Sequence, residues 1–378
     1  MIHDLFEKKE KKVEYLELIY DLIFVYIIGR NNQLLHQSGN AFENPAVFLP
    51  YILCTLAVIQ IWNYTTYYVN IYGKNGVREH VFMFVNMFLL FFIAEGTHVR
   101  WQNHHTLYHI AWALILCNIA FQYLMELHGS VTQEQRSRIN RQCALLFGQA
   151  FVVLLAIGEF ALFGTSNLSA AAVVGGIVLS FIVGSGKGED VIDFPHLSER
   201  AMLYVVFTFG EMIIALSAYF EEDFSLNSLY FAGMAFLIVV GLFLSYGVIY
   251  DHVIDREQKT NGLGYMFIHV FLIFALNNIT NALEFMRDEE VSVLPKIVFM
   301  IASLLLLYTM LFSLGKYAKG VCKPKPWLYP ALIGGGVVFA VLMIVFSENM
   351  YINIALTAVF VFSIFGVIYR FAQQSETE

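Results

Sequence analysis

The stretch Val13–Arg30, VEYLELIYDLIFVYIIGR, is apolar enough to enter a bilayer, yet it holds Glu17 and Asp21 within its apolar run and closes on Arg30. Four residues make about one helical turn, so both carboxylates share one helical face. A charged side chain near the bilayer centre costs about 2.5–3.5 kcal/mol on insertion scales. A spanning helix that keeps two of them must turn them toward protein or water, and two neighbouring carboxylates suit proton or cation binding. Lys8, Lys9, Lys11 and Lys12 ahead of the run resemble the start of a secretory signal. The two acids interrupt its apolar stretch and no small-residue cleavage site follows, so a retained first span is expected.

The composition agrees with a membrane solvent. Of 378 residues, 58% are hydrophobic and 14% charged, with 35 Phe. Soluble domains carry about 25% charged residues, and a soluble chain of this size could not hide so much apolar surface. The acids behind the net charge of −8 are scattered, and no basic patch of the nucleic-acid-binding kind stands outside the loops. Cys54, Cys117, Cys143 and Cys322 show neither a disulfide framework nor a CxxC metal pair.

About 20 mostly apolar residues cross the hydrocarbon core. Twelve segments meet that length: 14–34, 47–70, 80–98, 106–127, 142–163, 168–185, 200–220, 228–250, 263–284, 293–314, 327–346 and 351–371. Of the 22 Lys and Arg, only Arg30, Arg100, Arg287 and Lys296 fall on one side of this arrangement. Basic residues concentrate on the cytoplasmic side, so both termini are expected there, with Arg200 counted among the loop charges. The two halves, 1–188 and 189–378, also look alike. Glu17 and Glu199 open corresponding spans, which reach Gly29-Arg30 and Gly210-Glu211 about three turns later, and Tyr-rich ends of spans 2 and 8 lead through short basic loops into aromatic spans. Six spans per half make a parallel repeat.

The residues Glu17, Leu18, Asp21, Leu22, Phe24 and Val25 form an E-L-x-x-D-L-x-F-V stretch, and His196, Glu199 and Arg200, followed by Gly210-Glu211, form H-x-x-E-R with a later G-E pair. With the aromatic run Trp62–Gly73, these resemble the bacterial low temperature requirement A (LtrA) family. The resemblance touches both halves and implies a multi-pass protein of the bacterial cytoplasmic membrane. It implies no settled substrate, and His196, Glu199 and Arg200 enter as a structural motif.

Several polar groups inside the spans are candidates for function. Glu211 reads as the deepest acid, facing Asp21 across the junction of spans 1 and 7, with Arg30 a candidate ion-pair partner. Asn277, Asn281 and Glu284 form a stripe on span 9, and Asn118, Gln122 and Glu126 form one on span 4, suited equally to interhelical hydrogen bonding and to a hydrated route. His98, His104, His105 and His109 gather between spans 3 and 4 without a complete ligand set, so no metal is expected. GSGKGED at 184–190 lacks the strand and the Ser or Thr of a phosphate loop. The expectation is an all-α membrane protein of about twelve transmembrane helices in two parallel six-helix halves. It carries a small solute or ion through intramembrane carboxylates, and it is not an enzyme, with no cofactor and no nucleic-acid partner. The alternative is a membrane sensor or assembly protein whose polar groups are purely structural. Lipid and an unidentified solute are the expected partners, and spans 10 to 12 are free for a subunit contact in a homo-oligomer.

Overall fold

A computed structural model describes residues 11–36, 44–96, 101–184, 192–220, 224–288, 291–322 and 328–377. Twelve α-helices fill it: α1 (Tyr15–His36), α2 (Pro45–Tyr72), α3 (Val77–Gly96), α4 (Trp101–Glu126), α5 (Gln133–Phe163), α6 (Asn167–Gly184), α7 (Phe194–Ala215), α8 (Leu226–Val248), α9 (Leu263–Phe285), α10 (Val293–Ser313), α11 (Leu328–Val345) and α12 (Met350–Thr377). Among the described residues the nearest thing to a sheet is one isolated bridge, Ile254 to Ala318. Helices dominate because the backbone polar groups of a chain in lipid must be satisfied within each segment.

Ten of the helices are long and apolar enough to cross a membrane. The exceptions have different causes. α1 spans about 33 Å at 1.5 Å per residue but carries Glu17, Asp21 and Arg30, so it can cross only where other helices shield its charges. The apolar stretch of α11, Leu332–Val345, is short. Burial sorts the rest. α9 and α2 are the most enclosed, with 78% and 67% of their most apolar windows buried, whereas α6 has 22% and faces outward along most of its length.

α1 and α7 pack on each other at the centre, and α2 and α9 pack across the same junction. Within the first half α1 touches α2 and α3, α3 touches α4, α4 touches α5, α5 touches α6, and α6 returns to α2. The same scheme recurs among α7–α12: α7 touches α8 and α9, α9 touches α10, α10 touches α11, α11 touches α12, and α12 returns to α8.

The ends of the helices that carry the basic loops are tied together; we call this the basic end. Lys11 donates to the carbonyls of Val69 and Gly73 at the end of α2, capping its last turn. Burial pulls the Lys11 ammonium below its ordinary pKa, an effect offset by the charges of Glu17, Glu79 and Asp193. Arg78 at the start of α3 pairs with Glu126 at the end of α4, and α8 closes in a π-turn, Ile249–Val253, after which Asp255 N–H donates to the Tyr317 carbonyl at 2.8 Å.

Candidate functional site

The start of α7 fixes the depth of the site. Asp193 is the N-cap, its carboxylate accepting from His196 N–H at 3.2 Å, and Pro195 stands in the first turn, where the missing N–H loses nothing. The helix therefore begins at Phe194, and Arg200 lies about 9 Å along it, as Asp21 lies about 9 Å along α1. Arg200 is not a loop charge: it and Asp21 are fully buried and Glu17 is 3% exposed. This corrects its place among the charges of the basic loops.

Arg200 sits between the two carboxylates. One guanidinium nitrogen binds Asp21 Oδ1 directly, and Nη1 lies 3.0 Å from Glu17 Oε2. Trp62 of α2 donates its indole N–H to the same Asp21 oxygen at 2.8 Å, and its ring packs on Tyr204 with centroids 4.5 Å apart. On the other side of Glu17, His196 Nε2 is 3.4 Å from Oε2, while its Nδ1 meets the Asn70 amide at 3.1 Å. Asn70 is itself held by both backbone groups of Asp193, donating to the carbonyl at 2.8 Å and accepting from the N–H at 3.0 Å. Three helices thus meet in one ion cluster.

Two carboxylates face one guanidinium inside the cluster, and a further cation, Lys11, acts on Glu17 from the basic end. Asp21 Oδ2, Arg200 Nε and the Tyr204 hydroxyl find no hydrogen-bond partner among the described residues. Such a cluster has room for a proton, chemically if not sterically. A polar line leads from it into the first half: Tyr20 OH and Thr65 Oγ1 lie 3.0 Å apart, Asn86 donates to Tyr20 OH at 3.3 Å, and Asn118 of α4 donates to Asn86 at 2.8 Å. The α4 stripe divides at this point. Asn118 joins the line, Gln122 is buried with neither amide atom paired, and Glu126 binds Arg78 and Tyr68 at the basic end.

Glu211 belongs elsewhere. It lies 11 residues beyond Arg200 in α7, about 16 Å along the helix, in the last turns before Ala215. Its carboxylate lies over Gly29 of α1, where a Cβ would come within 2.2 Å of Oε1. Asp21 and Glu211 therefore do not face each other: spans 1 and 7 pack as expected, but Arg200, not Glu211, meets Asp21. Glu211 is partly exposed, so Asp21 is the more deeply buried acid. Arg30 Nη2 lies 3.9 Å from Glu95 of α3. Glu199 is partly exposed beside the buried Arg200.

The α9 stripe builds a second network near Glu211, at the end of the bundle away from Asp21. Tyr51 OH donates to Asn278 Oδ1 at 2.5 Å and accepts from Asn277 at 3.0 Å and Asn281 at 3.2 Å. Asn281 also donates to Asn32 of α1 at 2.8 Å, and Glu284 meets His36 at 2.6 Å. Tyr51→Phe removes all three of the tyrosine's bonds. At about 0.6 kcal/mol per interhelical bond in a membrane, it is expected to lower stability by about 2 kcal/mol. An unfolding titration with SDS in mixed micelles reads this; an unchanged midpoint would mean that the hydroxyl is not the hub.

His105 and His109, both on α4, stack on each other. His105 and His109 lie 3.8 Å apart, His105 rests on Phe160 at 3.9 Å, and His109 Nε2 is 2.7 Å from Ser169 Oγ. No group of three His, Cys, Asp or Glu stands within metal-holding range among the described residues. His98 and residues 185–190 of the GSGKGED stretch lie outside the described residues.

Comparison with known proteins adds one match. The family model described as "Bacterial low temperature requirement A protein (LtrA)" matches residues 12–364, which takes in the ion cluster, the α9 network and both halves. No curated protein matches the chain, and no solved structure matches it.

Proposed function

Given that the chain belongs to the bacterial low temperature requirement A (LtrA) family, whose name states a growth trait and no chemistry, we propose that it is a proton-coupled carrier of a small solute or ion and not an enzyme. It is placed in the bacterial cytoplasmic membrane with both termini inside and is built from two parallel six-helix halves. The observation that carries this reading is the unbalanced cluster of Glu17, Asp21 and Arg200 at the α1–α7 junction. A purely structural ion pair needs one carboxylate; the second leaves a charge that a proton or cation neutralises, and retaining it in lipid carries a cost of several kcal/mol. The recurrence of one neighbour scheme in α1–α6 and α7–α12 supports the parallel repeat, and it puts the cluster between the repeats, where two-fold carriers place their sites.

The chemistry assigns roles. Arg200 bridges the two carboxylates. His196, in reach of Glu17 and backed by Asn70, is the group to which a proton can pass. Asp21, with Trp62 fixing one oxygen, is the coupling acid. The network around Tyr51 favours a second reading, in which polar groups only join helices, because the one hydroxyl ties Asn277, Asn278 and Asn281 of α9 to α2.

One experiment separates the two. The protein is reconstituted into liposomes that contain a pH-sensitive dye, and a potassium diffusion potential is imposed across a panel of alkali cations and small organic anions. The expected result is proton movement above that of empty liposomes under at least one condition, lost in Asp21→Asn. Equal dye responses from wild type, Asp21→Asn and empty liposomes under every condition would refute the carrier and leave the structural reading.

A further inference from the structure

A cavity of about 120 Å³ opens at the basic end between α2, α5, α6 and α9. Its wall on α2 runs from Gln60 through Asn63, Tyr64 and Tyr67 to Ile71, a stripe on one face of the helix at steps of three and four residues. Eleven residues of rise make it about 16 Å deep. A single water needs about 10–15 Å³ by the same measure, so the space holds on the order of ten small groups.

Its chemistry is lopsided. Arg138 and Arg141 of α5 line it, and no Asp or Glu does among the described residues. Arg141 is exposed, and Arg138 lies 3.8 Å from the exposed Glu134 of its own helix. The inner part carries buried polar atoms with no hydrogen-bond partner among the described residues, Asn63 Oδ1 and the Tyr67 hydroxyl. Tyr64 and Gln60 beside them are already engaged with Gln149, at 2.8 and 2.6 Å. Phe181 of α6 and Phe267 of α9, in edge contact at 5.0 Å, complete an aromatic wall. Two cations at the mouth, unpaired hydrogen-bonding groups within and apolar walls between them are complementary to one kind of molecule.

We propose that this cavity binds a small organic anion: a phosphate or carboxylate group held by Arg138 and Arg141, with an apolar or aromatic body reaching toward Asn63 and Tyr67. The proposal stands on binding alone and does not rest on the proton-coupled reading. If the chain is a carrier, it names the class of solute. The anionic group can come from water or from a lipid headgroup, since α6 is largely open to the surrounding bilayer.

The test uses the purified full chain with two probes. Phenyl phosphate in equilibrium dialysis reports the soluble source. Native mass spectrometry from nanodiscs of phosphatidylglycerol or phosphatidylcholine reports the lipid source. At least one anionic probe should bind wild type and bind R138A/R141A at least tenfold more weakly, because charge-assisted bonds to both guanidinium groups are lost. Ser180→Phe, which fills the cavity without altering charge, should weaken it as strongly; Gln142→Trp blocks the mouth should Ser180→Phe fail to elute as the native species. Phenyl phosphate binding identifies a soluble anion, and retention of phosphatidylglycerol alone identifies a lipid headgroup. The proposal is overturned if neither probe prefers wild type over R138A/R141A. It is equally overturned if the filled cavity binds as well as the open one, which would place the anion on the surface. Both outcomes are independent of proton movement, so they separate this site from the carrier reading.

Discussion

Arg200→Met will destabilise the protein by about 3–5 kcal/mol, the loss typical of a buried ion group left without its partner. Methionine roughly fills the space but leaves Glu17 and Asp21, both buried, facing each other with no cation between them. The loss should appear as a shift of the SDS unfolding midpoint and as poor yield of monodisperse protein. Its cause is distinguishable from simple packing damage. The triple variant E17Q/D21N/R200M removes every charge at once and should recover most of the stability, because replacing a whole buried ion cluster by neutral groups is often close to neutral. An Arg200→Met protein as stable as wild type would show that the cluster does not hold α1 to α7.

Trp62→Ala comes next in size. Removing a fully buried Trp costs about 3–5 kcal/mol through lost contacts and the cavity left behind. Here it also strips Asp21 of a hydrogen bond and Tyr204 of its ring neighbour. Trp62→Phe keeps a six-membered ring and loses the donor with the pyrrole part of the indole, so its cost should be smaller, about 1–3 kcal/mol. The pair is read by the same SDS titration. Equal losses would mean that the indole N–H dominates; a negligible loss for alanine would mean that the α1–α2–α7 contact has another basis.

Much of the fold was legible because a bilayer leaves few choices. Apolar runs of about twenty residues bounded by polar loops mark helices, and all twelve occur where expected, although α5 begins nine residues and α7 six residues earlier. Glu17 and Asp21 were legible for the same reason: charge inside such a run stands out, and a four-residue step gives a shared face. Their partner was not, because an Arg near the expected start of a span normally reaches the interface. The signal lay a little upstream. Asp193 followed by Phe194 and Pro195 is a helix start, and it draws Arg200 two turns into the membrane. Glu211 was placed against Asp21 because both are acids on the two central spans. Depth along the helix, not helix identity, decides which charges meet, and the 11-residue interval keeps them apart. Trp62, Tyr204 and Tyr51 could not be singled out among so many aromatic residues, since only packing shows which ring carries a hydrogen bond to a charge.

α2 joins two features that nothing in its residue pattern links. Gln60, Asn63 and Tyr67 on one side line the cavity, while Trp62 and Thr65, interleaved with them, reach the ion cluster and its polar line. One rigid cylinder holds both sets, so it cannot turn on its axis to suit an occupant of the cavity without moving the indole that fixes Asp21. Pro50 near the start of α2 removes one backbone hydrogen bond there and gives the rest of the helix a pivot. If the cavity takes the proposed anion and the cluster a proton, the two sites are linked in the thermodynamic sense: by whatever factor an anion alters the proton's hold on the cluster, the proton alters the anion's affinity by the same factor.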